Sequence, residues 1–263
     1  MTTAPVLLER DGSVARLVLN RPDAGNAIDL ALARCLLEHA IACDQDPAIR
    51  CVVLTARGRL FCAGGDVAAI SGERHRMPAF LSELAGVLHM AVSRLARMAK
   101  PLLVLVNGPA AGAGLSLALL GDIVLARRAT HFTVAYGAIG LTPDGGASWL
   151  LPRLIGLRRA QELVVTNRRV SVDEAVAIGL ITRMVEDEAF AAEGEAMARQ
   201  LAAGATAAIG AARGLLLQSL GNGLETQMEL EARTIAAAGG GAEAREGIAA
   251  FLDKRKADFE GVS

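Results

Sequence analysis

Aromatic residues are scarce in this chain: one Trp, one Tyr and six Phe make up 3% of its 263 residues. Hydrophobic residues still reach 52%, so the core must be built from Ala, Leu, Val and Ile. Such a composition suits packed helices with small residues at their contacts. Neither sign of charge dominates, with a formal net charge of -1. No global field favours nucleic acid or an anionic membrane, and no RRM, zinc-finger or helix-turn-helix signature appears. A run of ~18 apolar residues, as a membrane span requires, is also missing. The opening MTTAPVLLERDG has no basic stretch followed by an apolar one, so no secretory signal is expected and the cytoplasm is the expected compartment. Cys35, Cys43, Cys51 and Cys62 form no CxxC pair and no His cluster accompanies them. Four reduced thiols are expected, with neither a metal site nor a disulfide framework.

What is present alternates between strand and helix. VLLERDGSVARLVLN reads as a hairpin around Asp11-Gly12. After the loop RPDAGNAID, Asp29 is placed to cap the helix LALARCLLEHAIACDQD. RCVVLTA, LLVLV and DIVLA read as strands covered on both faces, because they are apolar almost throughout. Between them lie the Gly-rich loop GRLFCAGGDVAAI, a helix over residues 77–98 and the small-residue helix AGAGLSLALL. This order gives an α/β class with crossover connections. Beyond about Leu150 only LITRMV suggests a strand, and amphipathic helices follow one another across Gly-rich joints. Their apolar stripes need a partner surface, either the α/β core or another subunit.

Two glycine-rich turns leave the ends of buried strands: Ala63-Gly64-Gly65-Asp66 and Ala111-Gly112-Ala113-Gly114. In an open α/β sheet, ligands bind where such loops emerge. The second loop opens a helix, whose free N–H groups and dipole point at whatever lies there. One N–H from each turn can converge on a carbonyl oxygen, and such donors are worth about 3–4 kcal/mol each at a developing oxyanion. The same glycines also serve turns and close helix–strand packing. Neither loop is a P-loop, since no Gly-Lys-Ser/Thr follows. Asp144, in GLTPDGGASWLLPRLIG, likewise has two readings: a turn or cap residue, or the one carboxylate of an apolar pocket.

Four blocks in this order, GRLFCAGGDVAAI, KPLLVLVNGPAAGAGLSLALLGDIVLA, GLTPDGGASWLLPRLIG and EGIAAFLDKRKADF, resemble the crotonase superfamily, the enoyl-CoA hydratase/isomerase family. The resemblance spans nearly the whole chain. It implies a ClpP/crotonase-like α/β spiral of ββα units over residues 1–200 and a C-terminal helical trimerisation region over residues 201–263. It also implies acyl-CoA thioester substrates, a homotrimer or dimer of trimers, and no cofactor beyond the coenzyme A of the substrate itself. Carried onto this chain, the oxyanion N–H groups belong to Gly65 and Ala113, the latter at a position where the family more often has glycine. Ala24 to Ala27 and the loop Ala63, Gly64 and Asp66 line the CoA path. Phe251 and Lys254 approach the CoA from a helix near the C-terminus, within the subunit or across a subunit boundary; the alternative for Lys254 is a solvated lysine in its DKRK cluster.

Hydratases of this family use two glutamates, and two carboxylates in different environments can divide acid and base roles. In this chain those positions fall on Ser116 and Tyr136, so simple hydration of a 2-enoyl-CoA is disfavoured and both residues are expected to shape the acyl pocket. GLTPDGGASWLLPRLIG resembles the 1,2-epoxyphenylacetyl-CoA isomerase and Δ3-Δ2 enoyl-CoA isomerase group, where this aspartate is a lone acid/base. The 4-chlorobenzoyl-CoA dehalogenase group competes, because there the aligned aspartate is a nucleophile. That resemblance places a water-activating histidine at His89 and an aromatic partner of the nucleophile at Tyr136. His89 otherwise reads as a core residue of the helix LAGVLHMAVSRLARM. A third expectation, of another class, is an acyl-CoA-binding protein that kept the fold without catalysis.

Overall fold

The computed structural model describes residues 4–262; residues 1–3 and 263, the outermost ends of the two expected modules, lie outside it. Val6–Asp11 (β1) and Val14–Leu19 (β2) form the expected antiparallel hairpin. Leu30–Gln45 (α1) follows, and the Asp29 side chain accepts the Leu32 N–H at 2.8 Å. Cys51–Ala56 (β3) leads through Val67–Gly72 (α2) and Met77–Arg97 (α3) to Leu102–Val106 (β4). Next come Ala110–Ala111 (β5), Ala113–Ala118 (α4), Ile123–Arg127 (β6) and His131–Thr133 (β7). Ala147–Ile155 (α5), Leu157–Thr166 (α6), Arg169–Ser171 (β8), Val172–Ala177 (α7) and Arg183–Val185 (β9) complete the mixed part. Phe190–Ala202 (α8), Thr206–Ser219 (α9), Leu224–Gly239 (α10) and Ala242–Leu252 (α11) form the helical end.

The main sheet has the order β1-β2-β3-β4-β6-β9, parallel everywhere except at the hairpin. A second, three-stranded sheet has the order β5-β7-β8. The chain passes from β4 to β5 and from β6 to β7, so successive turns add one strand to each sheet before the next helix, which is the geometry of a ββα spiral. The apolar run of β3 divides by the strand period of two. Val52 and Leu54 join the core with α1 and α3, whereas Cys51 and Val53 pack with Phe190, Ala198 and Ala202 of α8. Both faces are covered, which is why the strand shows no polar alternation.

By length and composition α3 meets what a bilayer crossing requires. Its stripe of Phe80, Leu84, Leu88, Ala91, Val92 and Leu95 is nevertheless buried in the core, while Arg94 pairs with Asp44 at 2.7 Å on the outer side. The four cysteines are unpaired, and burial pushes the Cys43 thiol up to about 11 and those of Cys51 and Cys62 to about 12. These three thiols therefore stay protonated and inert near neutral pH.

The helical end is docked on the core by buried arginines. Arg50 donates to the Ala202 and Gly204 carbonyls, each at 2.8 Å. Arg213, 8% exposed, pairs with Asp122 at 2.6 Å and donates to the Met98 and Lys100 carbonyls past the end of α3. α10 buries none of its residues, and Leu216, Leu220, Leu224, Ile235 and Phe251 are left exposed along the helical end. These unpartnered apolar residues fit a trimerisation region.

Candidate active site

Strand β3 ends in the loop carrying Gly64 and Gly65, and β5 ends at the N-terminus of α4. The two meet. Cys62 pairs with Ala110 in an isolated bridge, and the Ala111 N–H donates to the Cys62 carbonyl at 3.0 Å. A Cβ on Gly114 would lie 2.3 Å from the Cys62 oxygen, and one on Gly64 would lie 3.0 Å from the Ala111 oxygen. Both positions accept only glycine, because backbone lies against backbone. Loop 64–66 is held from its other side by the Ile28 N–H on the Gly64 carbonyl (2.8 Å) and the Asp66 N–H on the Ile28 carbonyl (2.9 Å).

Beside this junction opens a cavity of about 440 Å³. Its walls bring together Ala63, Gly64, Gly65, Gly112, Ala113, Tyr136 and Asp144. The remainder of the lining is largely apolar: Val67, Ile70, Leu81, Leu84, Ala85, Ala138, Ile139 and Leu141. Among the described residues, no acceptor takes the backbone N–H of Gly65 or of Ala113. The Ala113 group is free because it is the first residue of a helix, where no intrahelical carbonyl is available. Two free donors from touching loops thus border the cavity that holds Asp144.

Asp144 is the only carboxylate in the cavity wall among the described residues. Its Oδ1 accepts the Tyr136 hydroxyl at 2.6 Å, and Oδ2 has no partner among the described residues. Burial, and then the neighbouring Asp144 charge, push the Tyr136 phenol well above its ordinary value, so the hydroxyl keeps its proton and donates it. Ser116 is fully buried behind Tyr136; its Oγ lies 3.2 Å from the phenol oxygen and donates to the Asp144 carbonyl at 2.9 Å.

Several expected site residues lie elsewhere. Ser116 supports Tyr136 and Asp144 from behind and contributes no wall to the cavity, because Gly145 packs over it. Asp66 is committed to the N-terminus of α2, accepting the Ala69 N–H at 3.1 Å, and to Arg21 at 3.0 Å. Burial opposes its charge, but these donors outweigh it and hold the carboxyl below its ordinary range. Ala24 is exposed and Ala27 buried, on a segment joined to the cavity loop by the Ala63 N–H on the Gly25 carbonyl at 2.9 Å. Phe251, 83% exposed, and the exposed Lys254 do not reach the cavity within one chain.

His89 is not a core residue. It is exposed on α3, and its Nε2 accepts the Gly145 N–H at 3.0 Å. Sequence reasoning missed this contact because it joins residues 56 positions apart through a backbone group. It also passed over Asn26, which is fully buried. Asn26 accepts the Arg21 N–H at 2.8 Å and donates to the Arg57 and Leu60 carbonyls, both at 2.9 Å, fixing the loop beneath the cavity. The signal available was an Asn-Ala pair inside an otherwise turn-rich RPDAGNAID. No cluster of three metal-ligating side chains occurs among the described residues.

A family model described as enoyl-CoA hydratase/isomerase matches residues 9–262. The chain belongs to the enoyl-CoA hydratase/isomerase family. It is an enzyme of that family acting on a CoA thioester, and its fold is the crotonase fold. It is 38% identical over 261 residues to 1,2-epoxyphenylacetyl-CoA isomerase of Escherichia coli (strain K12), covering 97% of this chain and 98% of the relative. It is 31% identical over 250 residues to 4-chlorobenzoyl coenzyme A dehalogenase-2 of Arthrobacter sp, covering 95% and 91%. An enoyl-CoA hydratase from Polaromonas sp. JS666 superposes with a TM-score of 0.92 at 32% identity, covering 96% of this chain and 98% of that one. Relatives within the enoyl-CoA hydratase/isomerase family thus carry names of three different reactions.

Proposed function

We propose that this enzyme moves the double bond of an enoyl-CoA from C3 to C2, with Asp144 as its single acid/base. The observation that carries this reading is the lone carboxylate of the cavity wall: among the described residues, Asp144 has one oxygen held by Tyr136 and the other free, in a cavity bordered by two unused N–H groups. Oδ2 removes a proton from C2 of the 3-enoyl thioester. The electron pair spreads into a dienolate whose thioester oxygen is held by the Gly65 and Ala113 N–H groups. Oδ2 then returns the proton at C4, leaving the double bond between C2 and C3. One group suffices because the same proton is taken and given back. Hydration needs a second carboxylate to hold and activate water, and neither Ser116 nor a Tyr136 that keeps its proton supplies one.

The chemistry requires no metal or redox cofactor, and coenzyme A enters as part of the substrate. Its path runs along Ala24, Ala27, Ala63 and Gly64. Phe251 and Lys254 come to it from a neighbouring subunit of a homotrimer or dimer of trimers.

The covalent alternative, Asp144 attacking an aryl-CoA ring, is favoured by the Tyr136 hydroxyl that orients Oδ1 and by the similarity to a dehalogenase. Against it, the Nε2 of His89, the base this route needs, is taken by the Gly145 N–H. Chromatographic separation and mass spectrometry of the products of 3-enoyl-CoA substrates incubated in D2O test the lead, the conjugated 2-enoyl isomer being told apart by its elution and ultraviolet absorbance. Conversion to the 2-enoyl isomer without gain of water is expected. If nothing converts while CoA binds, the isomerase reading is lost. Oxygen-18 from labelled water in the Asp144 peptide during aryl-CoA turnover would then identify the covalent route.

A further inference from the structure

Asp144 sits in no regular element, yet the peptide unit that follows it is hydrogen-bonded through both its carbonyl and its N–H. The peptide unit joining Asp144 to Gly145 is gripped along both edges. On one edge, the Asp144 carbonyl accepts the Ser116 hydroxyl at 2.9 Å and the Ala147 N–H at 3.1 Å. On the other, the Gly145 N–H donates to His89 Nε2 at 3.0 Å. Gly145 itself is buried with φ +59°, and a Cβ there would lie 2.8 Å from that of Ser116. The turn therefore presses against α4 on one side and hangs from α3 on the other. With the Tyr136 bond to Oδ1, these contacts fix where Oδ2 stands.

We propose that His89 is a positioning residue for Asp144, acting through the Gly145 N–H. It does not line the cavity that holds Asp144; it faces a separate surface groove between α1 and α3, with Leu37, Ile41, Asp44 and Arg94. To accept from a backbone amide, Nε2 must carry no proton, so the neutral ring bears its proton on Nδ1. The nitrogen an acid/base role would use is thus spent on the backbone. Without an acceptor at this place a buried N–H loses its partner, and the turn is free to rotate about the Ser116 side. A displacement of about 1 Å in a catalytic group costs about 100-fold in rate. The inference rests on Asp144 carrying the chemistry.

The test compares His89→Gln, whose amide oxygen can accept the same N–H, with His89→Leu, which cannot. Both residues are good helix formers on the exposed side of α3, so both variants should fold. For turnover of 3-enoyl-CoA, His89→Leu is expected to lower kcat by about 100-fold with KM changed by less than about twofold, and His89→Gln to stay within about fivefold of the parent. Hydrogen exchange at the Gly145 amide should be fast in His89→Leu and slow in the other two chains, and nitrogen-15 spectra of the parent should show His89 protonated at Nδ1. If His89→Leu keeps kcat within about threefold, or its Gly145 amide stays protected, the proposal is overturned. A His89→Gln chain with a protected amide but the slow kcat of His89→Leu also overturns it, in favour of direct proton transfer by His89. If the parent isomerises nothing, the role of Asp144 fails; the amide exchange, which needs no substrate, still decides whether His89 holds the turn.

Discussion

Replacing Asp144 by Asn removes the proposed base while leaving its surroundings almost unchanged. The amide has the same shape, and its oxygen still accepts the Tyr136 hydroxyl, now 2.6 Å from Oδ1. The Ser116, Ala147 and His89 contacts all go to backbone and are untouched. The one folded-state loss is the ionic share of the Tyr136 bond, about 1 kcal/mol from the difference between charged and neutral acceptors. In a chain of this length that lowers Tm by about 2–4 °C. Catalysis loses far more. A positioned acid/base contributes about 10²–10⁴ in rate, or about 3–5.5 kcal/mol in activation free energy. The assay follows the absorbance that appears as the double bond conjugates with the thioester, alongside calorimetric binding of a saturated acyl-CoA and thermal unfolding. Binding is expected within about threefold of the parent, because the cavity keeps its shape. A variant that retains more than about a tenth of the parent rate, with the same binding and Tm, would refute the assignment, since the proton would then be moved by another group.

Tyr136 is the only tyrosine of the chain, so its ionisation can be read directly by ultraviolet titration. Its folded pKa is raised above the unfolded value of about 10, so the stability it contributes is present below pH ~10 and is lost as pH rises beyond it. The native chain should show no tyrosinate at pH ~10, where the denatured chain is half ionised; equal titration of the two would contradict the buried hydroxyl. Ser116→Glu should yield no hydratase and a fall in stability of about 2–4 kcal/mol by chemical denaturation, since a charge and added volume enter a fully buried place against Gly145. Gly145→Ala, strained by φ +59° and by Ser116, should cost about 1–3 kcal/mol and depress kcat more than KM. Arg213→Met should cost about 3–5 kcal/mol by taking the donor from Asp122 Oδ1, whose other oxygen keeps the Leu102 N–H, and from the Met98 and Lys100 carbonyls, and a loss below about 1 kcal/mol would show the helical end to be independently docked.

The long strands and amphipathic helices were legible in the sequence because their apolar runs or stripes continue for five or more residues, as in the runs CVVLTA and LLVLV. The small sheet was not. β5 has two residues and β7 and β8 three each, too short for any alternation to show, and β5 takes Ala111, the first residue of what reads as a small-residue helix. At the site, Gly65, Ala113 and Asp144 could be gathered from the order of motif blocks and Tyr136 from the position it takes in place of a family glutamate, and the cavity brings them together. The roles of Ser116, Asp66 and His89 could not, for a common reason. Each is decided by a hydrogen bond to backbone, and backbone partners leave no residue type in the sequence to betray them. The apolar spacing around His89 was real, but it described Leu88 and Val92, its neighbours on the buried stripe.

The Tyr136 hydroxyl occupies one oxygen of Asp144, and the other has no partner among the described residues. For the proposed isomerisation this is a statement about handedness. A single oxygen, on one side of a flat dienolate, can only take and deliver a proton from that side. The hydrogen lost at C2 and the hydrogen gained at C4 must therefore share a face, so the enzyme would distinguish the two mirror-related hydrogens at each carbon without any contact devoted to telling them apart.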